Sequence, residues 1–155
     1  MGYILQQDWF TYQDARTAVT PSMISGHCFE TIMGGAAAYC RAIDAGLGSD
    51  TIDALARHTV DVGDRRVFAG VHYPSDNLSS WLTALLLMPI VCPDPKAPTW
   101  AWNAISSHSR VYQVISANTQ DGSAHAPSLD LLRRIGGGEI QDVDGALAMA
   151  AGTWR

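Results

Sequence analysis

Apolar positions recur through most of this chain at every third or fourth residue, and nowhere with the every-second-residue alternation of a strand. From His27 to about Ala45, the residues Ile32, Met33, Ala36, Ala37 and Cys40 mark one side of a helix, and the glycines at 46 and 48 stop it. Gly34 and Gly35 interrupt that run at a propensity cost of about 1 kcal/mol each, so close approach by another helix is expected there. Ser49 or Asp50 can cap a second helix from Thr51 towards Phe68, with Ile52, Leu55, Ala56, Thr59 and Val62 or Gly63 as its apolar stripe. A third is predicted from Pro74 to Pro89, with Tyr73 as cap, Asp76 at the third position, and Leu78, Trp81, Leu82, Leu85 and Leu86 on its buried face. Three prolines between Cys92 and Pro98 predict a loop. A fourth helix follows at about 99–118, then shorter helical pieces at 128–135 and 141–151. Residues 1–20 read as irregular or as one short helix, before a cap signature at Thr20-Pro21. The expected fold is all-α, a helical bundle in a single domain over 1–155, with a core at about 20–90 and a helical C-terminal extension at about 99–151.

The 155 residues can support a core without metal or disulfide staples. Only 16% are charged, below the usual quarter, which implies a surface covered by a homo-oligomeric partner or by a missing N-terminal segment. A net charge of −5, with Lys96 the only lysine, argues against a nucleic-acid groove, which needs clustered cations. The apolar run from Trp81 to Cys92 is broken by Pro89 and is shorter than the roughly 20 residues a membrane span requires. Cys28, Cys40 and Cys92 lack C-x-x-C spacing and read as buried thiols. The start MGYILQQDWF lacks the basic and apolar stretches of an export signal. The expectation is a cytoplasmic chain as it stands, and an exported one if an upstream segment was removed.

Two segments place ionisable groups immediately before apolar helices, where helix N-termini present unpaired N–H groups. One is Ser25-Gly26-His27. The other is Arg66-Val67-Phe68-Ala69-Gly70-Val71-His72-Tyr73-Pro74-Ser75-Asp76, in which five residues separate Arg66 from His72 and three separate His72 from Asp76. Together they resemble the second and third signature motifs, P-S-G-H and S-R-x5-H-x3-D, of the superfamily uniting type-2 phosphatidic acid phosphatases, bacterial class A acid phosphatases and vanadium-dependent haloperoxidases. The resemblance covers about residues 20–90.

It implies that His72 attacks phosphorus to form a phosphohistidine, or binds vanadate as its metal-centre ligand in a haloperoxidase. Asp76 would accept a hydrogen bond from the other ring nitrogen of His72 and fix its tautomer. His27 would protonate the leaving oxygen, a task suited to a side chain that titrates near neutrality. Arg66 would clamp the equatorial oxygens with its planar fork, and Ser25 and the Gly26 N–H would add donors at a helix start. The implied activity is metal-independent hydrolysis of a small phosphate ester with no cofactor. The haloperoxidase alternative uses vanadate in the same pocket, and a second alternative is a catalytically incomplete fragment or subunit that acts through assembly.

The departures are specific. Arg65 stands where the motif has Ser, Ile24 stands where it has Pro, and the first motif, K-x6-R-P, is missing. Truncation of upstream helices is the expected reason. Elsewhere, His58 and His108 are expected on helix faces and His125 in a loop, without paired metal spacing. Gly136-Gly137-Gly138 lacks the lysine and hydroxyl of a phosphate loop and reads as a flexible joint. Trp100 and Trp102 are expected in the core or an interface, and the Asn77-Leu78-Ser79 glycosylation pattern is discounted because it falls inside the third helix.

Overall fold

The computed structural model describes residues 24–92, 94–119, 125–140 and 144. The cap signature at Thr20-Pro21, the reading of residues 1–20 and the helical piece at 141–151 lie outside the described residues, apart from Asp144. Among the described residues, six helices follow in order: α1 (Gly26–Asp44), α2 (Ser49–Phe68), α3 (Pro74–Val91), α4 (Lys96–His108), α5 (Arg110–Asn118) and α6 (Ala126–Gly136). There is no strand among these residues, and the all-α expectation holds.

Helix α1 starts because Ser25 takes an extended conformation and its Oγ accepts from the Cys28 N–H at 3.4 Å. Helix α2 begins at Ser49 with Gly48 as its cap and no side-chain cap bond, so neither Ser49 nor Asp50 caps it. In α3, Asp76 reaches back to the Tyr73 N–H at 3.1 Å, as expected for an acid at the third position. The helix runs through Pro89 to Val91. Helix α4 begins at Lys96 rather than Thr99, because Asp94 Oδ1 accepts from the Lys96 N–H at 2.8 Å.

The predicted fourth helix is two. Ser109 breaks it with an extended backbone (φ −73°, ψ 120°), serving as C-cap of α4 and N-cap of α5. Its Oγ accepts from the Tyr112 N–H at 3.0 Å and donates to Asp64 Oδ1 at 2.8 Å. Asp64 Oδ2 also accepts from the N–H groups of Arg110 and Val111, so a carboxylate on α2 occupies the start of α5. Burial raises the Asp64 pKa above its ordinary 3.8, and the hydrogen bonds from Ser109, Arg110 and Val111 oppose that rise.

The core is built around α3, whose Trp81, Leu85 and Met88 are buried with Ile32 of α1, Ile105 of α4 and Leu129 and Leu132 of α6. Trp81 meets Tyr112 edge-on, Tyr112 meets Trp102 in the same way, and Trp100 stacks on Tyr39 at 4.9 Å. Trp100 is therefore a core residue, and the half-buried Trp102 packs against the core. Gly35 is where α1 and α2 touch, since a Cβ there would collide with the Thr59 side chain; at Gly34 there is open space. Gly136 packs under Trp102, while Gly138 takes a positive φ of 79° as the chain leaves α6. Within the glycine triplet, Gly136 is therefore packed at the helix end, while Gly137 and Gly138 just beyond it are exposed.

Helices α1 and α3 run parallel. Ser80 Oγ of α3 donates to the Ser25 carbonyl at 3.1 Å, and near the opposite ends the Cys40 and Cys92 sulfurs lie 3.9 Å apart. At 1.5 Å of rise per residue, the two spans between these contacts are about 22 Å and 18 Å, consistent with one direction. The parallel arrangement brings the start of α1 beside the start of α3.

Candidate active site

The turn between α2 and α3 determines where His72 lies. Helix α2 ends at Phe68 with Ala69 as its C-cap, and Gly70 then adopts φ 73°, a conformation that disfavours any residue with a Cβ. The Val71 N–H bonds back to the Arg66 carbonyl at 3.0 Å and the His72 N–H to the same oxygen at 3.3 Å. The five-residue spacer is therefore a chain reversal that returns His72 to Arg66.

Arginine can only donate, so the 3.4 Å contact between an Arg66 terminal nitrogen and His72 Nε2 is a hydrogen bond in the tautomer whose Nε2 carries the lone pair. In that tautomer the proton is on Nδ1, which faces Asp76 Oδ2 at 3.1 Å. Asp76 Oδ2 also receives the Tyr73 N–H, so one carboxylate oxygen caps α3 and orients the imidazole. Both side chains are largely enclosed, with 9% of His72 and 11% of Asp76 exposed. This tautomer is the one a nucleophilic Nε2 needs.

Arg66 Nε is buried and has no hydrogen-bond partner among the described residues. A buried guanidinium N–H without a partner is costly, and an oxyanion beside His72 would relieve it. Asn77, fully buried one residue after Asp76, also leaves both amide atoms without a partner among the described residues. Its burial beside Gly63 removes it as a glycosylation acceptor, as anticipated. Ser80 couples the two motifs by sharing its one hydroxyl proton between the Asp76 carbonyl at 2.7 Å and the Ser25 carbonyl at 3.1 Å. Sequence reasoning missed both Asn77 and Ser80, because a polar residue on an apolar helix face gives no hint of what it will meet.

The remaining motif residues sit at the start of α1. Ser25 is fully buried and its hydroxyl caps the helix, a structural role. Gly26 is exposed, and a Cβ there would meet nothing within 4 Å. His27 is exposed, and its side chain makes no hydrogen bond or ion pair among the described residues. Contacts therefore join Arg66, His72 and Asp76 directly and Ser25 through Ser80. Arg65, at the motif's serine position, turns outward and pairs with Asp61 at 2.6 Å.

Other titratable groups stay apart from this centre. Cys28 lies behind it, only 1% exposed, and burial followed by the nearby Asp64 charge pushes its thiol up to about 12. His108 pairs with Asp53 at 3.2 Å, and with the exposed His58 it lines a polar cleft of about 620 Å³ beside α2. His125 is exposed at the start of α6. No group of three or more His, Cys, Asp or Glu among the described residues could hold a metal ion. No described helix is long and apolar enough to cross a membrane.

Searches against protein-family models, curated proteins and solved structures returned no match to this chain.

Proposed function

We propose that this chain is a phosphohydrolase, of the kind its two motifs resemble, working through a phosphohistidine on His72 without a metal. The observation that carries this reading is the arrangement around His72, with Asp76 at Nδ1 and Arg66, whose Nε has no partner among the described residues, at Nε2. In the first step, Nε2 attacks phosphorus, a P–N bond forms, and the ester P–O bond breaks. The departing oxygen takes a proton from His27, which the resemblance assigns as acid. Water then cleaves the P–N bond with His27 acting as base. Asp76 stabilises the cationic imidazole formed on the way, and Arg66 neutralises charge on the non-bridging oxygens.

Rapid quenching of a reaction with a radiolabelled phosphomonoester near pH 5–6 is expected to trap an acid-labile, base-stable phosphoenzyme in the wild type and none in His72→Ala. A His72→Ala protein with full turnover would overturn the assignment. Phosphate release is expected to survive a chelator. In the alternative reading, His72 and Arg66 would hold vanadate, which when bound supplies activation of peroxide for halide oxidation. Bromide oxidation after vanadate loading, without ester hydrolysis, would replace the first reading with that one.

A further inference from the structure

Two thiols separated by 52 residues meet at the end of the bundle away from His72. Cys40 lies on α1 and Cys92 terminates α3, with their sulfurs 3.9 Å apart. A disulfide needs about 2.05 Å, so the sulfurs must close by roughly 1.9 Å. Cys92 can supply that movement because it has left the helix, with φ −125° and ψ 95°, and is anchored by its N–H to the Met88 carbonyl. Both residues are half-buried, and Cys92 faces a cleft of about 350 Å³ whose other walls include Leu85, Leu86, Pro95 and Ile135. The pair is therefore within reach of a small reagent, unlike Cys28 in the core.

We propose that Cys40 and Cys92 form a redox-active dithiol that closes to a disulfide by exchange with a small organic disulfide. The thiolate of Cys92 attacks one sulfur of the reagent, forming a mixed disulfide and releasing one small thiol. Cys40 then gives up its proton and attacks the Cys92 sulfur, releasing the second small thiol. Two protein thiols are oxidised and one reagent disulfide is reduced to two thiols, so atoms and electrons balance. Cys92 lines the cleft and meets the reagent first, which leaves Cys40 as the resolving partner; burial, then the Cys92 thiol and the Asp94 carboxylate, push the Cys40 thiol up. The bond would lock together the far ends of the two helices whose near ends Ser80 already joins, and it would close a long loop of the unfolded chain.

The test uses the whole chain and bis(2-hydroxyethyl) disulfide, an uncharged reagent that Asp94 does not repel. Intact mass is expected to fall by two hydrogens, and non-reducing peptide mapping is expected to find Cys40 joined to Cys92, with Cys28 still a thiol. Thermal unfolding of the oxidised protein should shift upward by roughly 5–15 °C and return on reduction. Cys28→Ala should form the same bridge, whereas Cys40→Ser should stop at a single adduct on Cys92. Separate adducts on Cys40 and Cys92, a bridge between two chains, or no reaction would overturn the proposal.

Discussion

A single oxygen, Asp76 Oδ2, is bound by two groups with different purposes, the Tyr73 N–H that starts α3 and the His72 ring that the site depends on. An acid at this position is common as a favourable charge on a helix start, and it can serve both roles because a carboxylate oxygen has two lone pairs. Replacing Asp76 by Asn keeps the shape but lets the imidazole adopt the other tautomer. Steady-state kinetics of Asp76→Asn should show kcat reduced by about 10²–10⁴ with little change in KM. An unchanged kcat would mean that Asp76 is only a cap. The motif spacing made His72, Arg66 and Asp76 legible in the sequence, since a helix start and a fixed turn length place them together. The role of Gly70 could also have been read there, because glycine just past a helix end signals a left-handed turn.

Contacts between elements depend on residues whose partners are distant in sequence. Gly34 and Gly35 look alike along the chain, yet only Gly35 faces Thr59. In urea unfolding, Gly35→Ala should lose about 1–3 kcal/mol through overpacking, while Gly34→Ala should gain up to about 1 kcal/mol from helix propensity. Equal effects would disprove the close approach of α1 to α2. Asp64 offers a second test at this scale. Asp64→Ala would leave the Arg110 and Val111 N–H groups without their acceptor and should cost about 1–3 kcal/mol. Its raised folded pKa means that the folded chain holds this proton more tightly than the unfolded one. Its contribution is therefore fully present below the unfolded value and lost as pH rises through the folded value. Wild type minus Asp64→Asn, from urea midpoints at stepped pH, should show stability falling as pH climbs through the range just above 3.8. A rise over that interval would contradict the burial of Asp64. The split at Ser109 belongs here too: apolar periodicity continues across the break, and the second helix starts there with Ser109 as its own cap and the carboxylate arriving from α2 on its first N–H groups.

For the whole molecule, the parallel α1 and α3 bring two motifs together about one shared polar contact, Ser80 to Ser25. If this end of the bundle is an oxyanion pocket, orthovanadate should raise the melting temperature in a saturable way. At 100 times its Kd, such a ligand adds about 2.7 kcal/mol of stability. Arg66→Ala should remove that shift, and a shift unchanged in Arg66→Ala would place the anion elsewhere. Calorimetric titration would measure the same affinity directly. The missing K-x6-R-P motif makes this the most informative test, since the two cations it contributes in the resembled family are absent from the sequence.

Helical character and the approximate ends of most helices follow from the residues taken in order, and the meeting of three side chains around the α2–α3 turn is what the motif resemblance implies. Those are local properties, set by periodicity, caps and spacing over fewer than a dozen residues. Packing alone accounts for the rest: Ser80 tying the two motifs together, Asp64 starting α5, Gly35 rather than Gly34 as the contact point, and Cys40 facing Cys92. Each of these joins positions far apart along the chain, and such pairings depend on how whole helices lie against one another, which the residues near either partner do not encode.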